Sequence, residues 1–159
     1  MATSLKAIPE NELRMSAPLP KVIPPDLTSE ERDGLRDYWR VFEEHREEVT
    51  VEIGKVANRH PEFKPIMQDP AAQPSPEQQE RNLEIQRNAV LNQEWEPYLQ
   101  NLQQQGMSYA RGGISFRAWF DLIDAFRKAM MPHLVSTYGD STEILLSAVD
   151  GMDTFISIV

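Results

Sequence analysis

Residues 106–134 constrain the fold most, because glycine-rich backbone there leads directly into a long amphipathic segment. Gly112 and Gly113 predict a break in regular structure, and Ser115 predicts the N-cap of a helix. Apolar residues then recur at the spacing of one helix face. They are Phe116, Trp119, Phe120, Ile123, Phe126, Met130 and Leu134. We expect a long helix here, onto which the preceding helices of the chain pack.

The first helix is predicted to begin after Thr28, because Thr28 and Glu31 have the spacing of a capping box. Apolar residues follow on one stripe, and the opposite face is acidic and solvated. We expect this helix to end near His60, since the residue before Pro61 avoids helical backbone.

Three further helices are predicted around it. One begins with Ser75 as N-cap and Pro76 in its first turn. Pro97 predicts a break near residues 94–96, followed by a helix that stops around Gly106. The last helix is capped by Asp140 or Ser141. No segment alternates like a strand, so the predicted fold class is all-α.

Composition narrows the class of protein. The 159 residues favour one domain, which we place at residues 27–159 after an irregular, Pro-rich leader at residues 1–26. A net charge of −9 argues against nucleic acid or an anionic membrane as partner. No apolar run approaches the length of a membrane span. The absence of cysteine fits a cytoplasmic protein.

The chain shows no motif of a known catalytic or metal site. Its three histidines, His45, His60 and His133, are scattered and do not form a ligand pattern such as HExxH. The carboxylates fall on predicted solvent faces, which is a poor setting for acid–base chemistry. We therefore expect no catalytic residue, no metal ligand and no enzyme activity.

A family resemblance adds to this interpretation. The end of the first predicted helix, residues 53–63, resembles the B-helix end of bacterial sensor globins. Five later residues resemble the spaced positions around the F helix and the start of the G helix in that family: Tyr98, Gly106, Arg111, Gly113 and Trp119. The resemblance extends over residues 27–159 and implies a globin-like helical sensor domain.

The resemblance implies a domain without haem. Haem-binding members have a proximal histidine where this chain has Tyr109, so the chain is most similar to the non-haem globin domains of stressosome and histidine-kinase sensors. No cofactor is expected, and a small apolar ligand could occupy a cavity walled by Ile53, Val90, Tyr109 and Trp119. Two alternatives stay open: a haem gas or redox sensor that uses Tyr109 or a histidine as ligand, and a helical adaptor without a ligand.

The resemblance also implies a bacterial signal-transduction module that dimerises through its last two helices as a four-helix bundle. The broad apolar arcs of these helices independently favour contact with a second chain. The predicted homodimer interface consists of Phe126, Met130, Leu145, Val149, Met152 and Phe155. Since the last helix is still apolar at Val159 and has no stop signal, we expect it to continue into a downstream output domain.

Overall fold

The computed structural model describes residues 21–70 and 73–159, and within them the chain is helical without any strand. This confirms the all-α prediction. Most of the predicted leader, residues 1–20, lies outside the described residues, and residues 21–28 have no regular secondary structure. The helices are α1 (Ser29–Arg59), α2 (Lys64–Gln68), α3 (Pro76–Asn92), α4 (Trp95–Arg111), α5 (Phe116–Tyr138) and α6 (Thr142–Ile158).

Capping boxes start α1 and α3. This confirms the predicted capping box of α1 and the predicted N-cap of α3. The Thr28 hydroxyl accepts a hydrogen bond from the Glu31 N–H at 3.2 Å, and the Glu31 carboxylate accepts one from the Thr28 N–H at 2.7 Å. The Ser75 hydroxyl accepts from the Gln78 N–H at 3.2 Å, and Gln78 returns the bond. Each box satisfies two N–H groups that have no partner inside the helix.

The break between α3 and α4 also lies where it is predicted. Gln93 adopts a left-handed backbone with φ of 62°, and Pro97 lies in the first turn of α4, where its missing N–H costs nothing. The predicted stop around Gly106 is wrong, because α4 continues to Arg111. One glycine inside a helix costs only about 1 kcal/mol, which packing overrides. The chain turns instead at Gly113, with φ of 76°.

Helix α1 is the central element of the fold. Its backbone lies close to α2, α3, α5 and α6, whereas the backbone of α5 lies close only to α1 and α6 within the described chain. The prediction that the preceding helices pack onto residues 106–134 therefore holds for α1 but is wrong for α2 and α3. The reason is length, since the 31 residues of α1 can meet different partners along its course. Its buried side chains form much of the core, among them Leu35, Tyr38, Trp39, Val41 and Val49.

Helices α1 and α6 touch backbone to backbone at two glycines. A Cβ added to Gly151 would overlap the backbone of Gly34 and lie 2.5 Å from the amide nitrogen of Leu35. A Cβ added to Gly34 would overlap the carbonyl oxygen of Ser147. The absence of side chains at both positions is what allows the two helices to approach so closely.

An aromatic cluster fills the core beside this crossing. The Tyr38 ring lies 5.5–6.3 Å from the rings of Phe42, Phe126 and Phe155, and Tyr98 stacks on Phe155 at 5.7 Å. Burial, with a smaller contribution from Tyr98, raises the pKa of the Tyr38 hydroxyl well above its ordinary value. Tyr38 is therefore a neutral core residue.

None of the helices in the described part of the chain combines the length and the apolar character required to cross a membrane.

Candidate functional site

A cavity of about 280 Å³ lies between the second half of α4 and the start of α5. Most of its wall is apolar, and Gln105 and Ser115 supply polar groups. The residues that define its apolar wall are Leu102, Tyr109, Ile114, Phe116, Trp119 and Val159. Phe116 is 83% exposed, so one side of the cavity opens to solvent. Concave apolar sites with a few polar groups are the usual setting for small-molecule binding.

Tyr109 forms the centre of this wall. It lies in the last turn of α4, with its ring centroid 5.3 Å from that of Trp119 and 6.1 Å from that of Phe63. Burial raises the pKa of the Tyr109 hydroxyl. Tyr109 is therefore a neutral phenol, able to exchange hydrogen bonds with a ligand. One helical turn earlier, Gly106 lines the cavity without a side chain, and nothing lies within 4 Å of where its Cβ would be.

A hydrogen-bonded pair fixes Ser115, one of the residues that line the cavity. The Glu62 carboxylate accepts hydrogen bonds from the Ser115 N–H at 2.6 Å and from the Ser115 hydroxyl at 2.9 Å. The same hydroxyl accepts a bond from the Ala118 N–H at 3.2 Å, which confirms Ser115 as the N-cap of α5. The pKa of Glu62 is lowered, first by the Ser115 backbone N–H and then by its hydroxyl. The pair thus ties the segment between α1 and α2 to the start of α5.

The structure brings together two of the four residues predicted for the cavity wall. Tyr109 and Trp119 both line it. Val90 is fully buried in the main core, and Ile53 packs against that core. Ile114, Phe116 and Val159 were not predicted for this site. The sequence placed Phe116 on the apolar face of the predicted helix but did not indicate that it lines a cavity.

The residues predicted for a dimer interface lie mainly inside the single chain. Met130 and Met152 are fully buried and Phe155 is 8% exposed, so a second chain cannot reach them without repacking the core. Phe126, Leu145 and Val149 are partly buried against the same core. Other apolar residues of α5 and α6 are exposed, namely Phe116, Phe120, Val135, Ile144 and Leu146.

The histidines lie away from the cavity in the part of the chain that the structure describes. His60 caps the C-terminus of α1, with its Nε2 3.6 Å from an Asp121 carboxylate oxygen. His45 and His133, treated as scattered in the sequence, stack on each other with ring centroids 4.1 Å apart. A haem in the cavity would therefore depend on Tyr109 for its axial ligand, since no histidine is among the lining residues that the structure describes. The donor set lacks the histidine that globins use and does not fit a globin haem site.

Comparison with known proteins leaves the resemblance to sensor globins a prediction: no model of a known protein family, no curated protein and no solved structure matches this chain.

Proposed function

We propose that this chain is a regulatory input module that binds a small apolar molecule in the cavity between α4 and α5. Binding changes the position of α6, which transmits the signal. The observation that carries the proposal is the position of Val159. This residue follows α6 directly and lines the same cavity as Tyr109 and Trp119. A molecule in the cavity therefore contacts the end of α6 as well as α4 and α5.

The wall indicates the chemical class of the ligand. Aliphatic and aromatic side chains surround most of the volume, and Gln105, Ser115 and the Tyr109 hydroxyl offer polar contacts. Such a wall suits a compact apolar molecule with one polar end. The volume, about 280 Å³, is close to the lower limit of ordinary small-molecule sites, about 300 Å³.

The packing of α6 explains how occupancy could become a signal. Its middle packs closely against α1 at Gly34 and Gly151, where a Cβ on either glycine would overlap the backbone of the other helix. Its C-terminal end instead faces the open cavity. If the C-terminal end of α6 can adopt two positions, a ligand that binds more tightly to one of them increases the fraction of molecules in that position.

The proposal includes a homodimer and an output domain. The module pairs with a second copy through exposed apolar residues of α5 and α6, and an output domain receives the change in α6. The resemblance to non-haem sensor globins supports both parts. The proposed homodimer uses Val135, Ile144 and Leu146 because these side chains are 41–57% exposed.

Binding of the apolar fluorescent probe N-phenyl-1-naphthylamine tests the cavity. We expect saturable fluorescence enhancement with one probe per chain. Gly106→Leu places a side chain in the cavity while improving helix propensity, and it should weaken binding at least about tenfold, which corresponds to about 1.4 kcal/mol.

Gly54→Leu is the matched control, because Gly54 is also inside a helix with nothing within 4 Å of its Cβ position but is not part of the cavity. It should bind the probe like the unmodified protein. Equal binding by the Gly106→Leu protein would contradict the cavity as the site. A Soret absorption band in the purified protein would favour the haem alternative instead.

A further inference from the structure

A cluster of two imidazoles and one carboxylate lies where α1 packs against α5. His45 and Glu48 come from α1, and His133 comes from α5. Nδ1 of His45 is 3.8 Å from one Glu48 carboxylate oxygen, and Nε2 of His133 is 3.7 Å from the other. One possible ligand atom from each of the three residues lies within 4.8 Å of the other two.

The fold makes this cluster from residues that are distant in the sequence. His45 and Glu48 are three positions apart, so they lie on the same face of α1. The packing of α5 on α1 then adds His133. The side chains of His45 and His133 are 25% and 20% exposed, and that of Glu48 is 69% exposed. The cluster is thus accessible to a dissolved ion, while the helices restrict both imidazoles.

We propose that His45, Glu48 and His133 form a binding site for a divalent transition-metal ion, such as Zn²⁺. Two imidazole nitrogens and one carboxylate oxygen are a ligand set that zinc accepts, with water in the remaining position. Around a tetrahedral zinc ion two such ligand atoms lie about 3.3–3.6 Å apart. The distances of 3.7 and 3.8 Å end on different oxygens of Glu48. With one ligand atom from each residue, the three atoms lie within 4.8 Å of one another, so the side chains must move closer together to bind the ion.

A small side-chain movement completes the geometry. The two imidazole planes are inclined by only 19°, so their nitrogen lone pairs do not yet converge on one point. The proposed site requires the His133 imidazole to rotate about its Cβ–Cγ bond until its lone pair and that of His45 point to the same place. The neighbouring groove of about 780 Å³, lined by Glu48 and His133, has room for this rotation and for the bound water.

The surrounding charge favours a cation. Glu47 and Glu52 line the same groove, and Glu52 is ion-paired with Lys55. Lys128 is the one cationic side chain lining the described groove, and its ammonium lies 2.6 Å from a carboxylate oxygen of Asp124, which offsets its charge. Calcium and magnesium prefer sites composed of oxygen ligands, whereas a site with two imidazoles suits zinc, nickel, cobalt or copper. The ion would join α1 to α5 and stabilise their packing.

This site is independent of the proposed ligand cavity, because the two share no lining residue within the described chain. Zn²⁺ binding and probe binding can therefore succeed or fail separately.

Calorimetric titration of the chelator-treated full chain with ZnCl₂ tests the proposal. We expect one ion per chain and a higher thermal midpoint that EDTA reverses. His45→Gln, Glu48→Gln and His133→Gln should each lower the Zn²⁺ affinity at least about tenfold, since loss of even an outer-sphere partner has an effect of this size.

Two control variants distinguish this site from general attraction of cations. Glu47→Gln removes a neighbouring charge from the same groove, and His60→Gln removes the remaining histidine. Both should keep Zn²⁺ affinity within about threefold of the unmodified protein, which corresponds to about 0.7 kcal/mol. An affinity unchanged by His133→Gln, or reduced equally by His60→Gln, would overturn the proposal.

A measurement on the unmodified protein covers the case in which a histidine variant fails to fold. Co²⁺ should shift or broaden the amide NMR signals of residues 45–49 and 130–134 while leaving those around His60 unchanged. The absence of a response in either segment, or a stronger response around His60, would likewise overturn it.

Discussion

At the scale of single residues, the contact between Gly34 and Gly151 decides how closely α1 and α6 pack. Both glycines lie inside helices, where glycine costs about 1 kcal/mol relative to alanine. Here the missing Cβ is required, because backbone atoms occupy the space on both sides. Gly54 and Gly106 also lie inside helices but have no neighbours at the Cβ position. Helix propensity alone cannot distinguish the two pairs.

Gly151→Ala should lower the free energy of unfolding by about 1–3 kcal/mol, because α1 and α6 must move apart to accommodate the methyl group. Gly54→Ala should instead raise it by up to about 1 kcal/mol, through better helix propensity alone. Urea denaturation of both variants measures the difference. Equal stability of the two variants would show that the helices do not touch at this crossing.

A second feature at this scale is the pair of polar atoms enclosed in the aromatic core. The Tyr38 hydroxyl and the Trp39 indole N–H are buried and have no hydrogen-bond partner within the described residues. The Tyr138 hydroxyl, in contrast, accepts a bond from Arg40 at 2.8 Å and donates one to the Asp37 carbonyl at 3.1 Å. Trp39 belongs to the apolar stripe of the first predicted helix, but the stripe does not show whether its indole N–H finds a partner.

At the scale of helices, the start of α5 depends on a residue from another part of the chain. Ser115 caps α5 by itself, as its position before the helix predicts, but Glu62 adds two hydrogen bonds from the segment between α1 and α2. This arrangement holds Ser115, which lines the cavity. No local pattern predicts it, because a carboxylate can reach a cap from any part of the chain that the fold places nearby.

Glu62→Gln should destabilise the fold at neutral pH. The difference in stability between the variant and the unmodified protein should become smaller in acid. A carboxyl group whose pKa is lowered by folding contributes stability above its unfolded pKa, about 4.3 for glutamate. That contribution is lost as the pH falls through the lowered folded value. Thermal midpoints of the two proteins across the acidic range measure the effect.

Glu80→Gln provides the control, since Glu80 is an exposed glutamate of α3. Its difference from the unmodified protein should stay small throughout the same range. If the thermal midpoint of Glu62→Gln differs from that of the unmodified protein by the same amount down to strongly acidic pH, the charge of Glu62 does not contribute to stability.

At the scale of the whole molecule, burial decides which apolar residues of α5 and α6 belong to the core of the single chain. Helix α1 packs against both helices. Met130, Met152 and Phe155 are buried and stabilise the single chain. Leu146 is instead exposed, and the proposed homodimer would use it.

Leu146→Glu should shift a homodimer towards monomer while leaving the fold of each chain intact, because Leu146 is 57% exposed. Phe155→Ala should instead lower the free energy of unfolding by about 3–5 kcal/mol, the usual cost of removing a buried aromatic ring. Light scattering reports the first result and denaturation the second. A dimer that persists in the Leu146→Glu protein would place the interface elsewhere, and an unmodified protein that is monomeric at all concentrations would contradict the homodimer.

The sequence by itself determined the helices and most of their ends. The capping residues Thr28, Ser75 and Ser115 act within one turn, and proline acts on its own backbone, so their effects can be read locally. Gly106 is the exception, because packing overrides its weak local preference. For the candidate site the sequence identified Tyr109 and Trp119 but not the neighbours that complete the cavity.

Only the tertiary structure decided which helix is central, which apolar residues are buried and which distant residues meet. Periodicity shows that a helix has an apolar face, but it does not say which helix covers that face or where two helices cross. The crossings decide that Gly34 meets Gly151 and that Val159 borders the cavity. They also bring His45 and His133 together beside Glu48, although nothing in their spacing along the chain relates them.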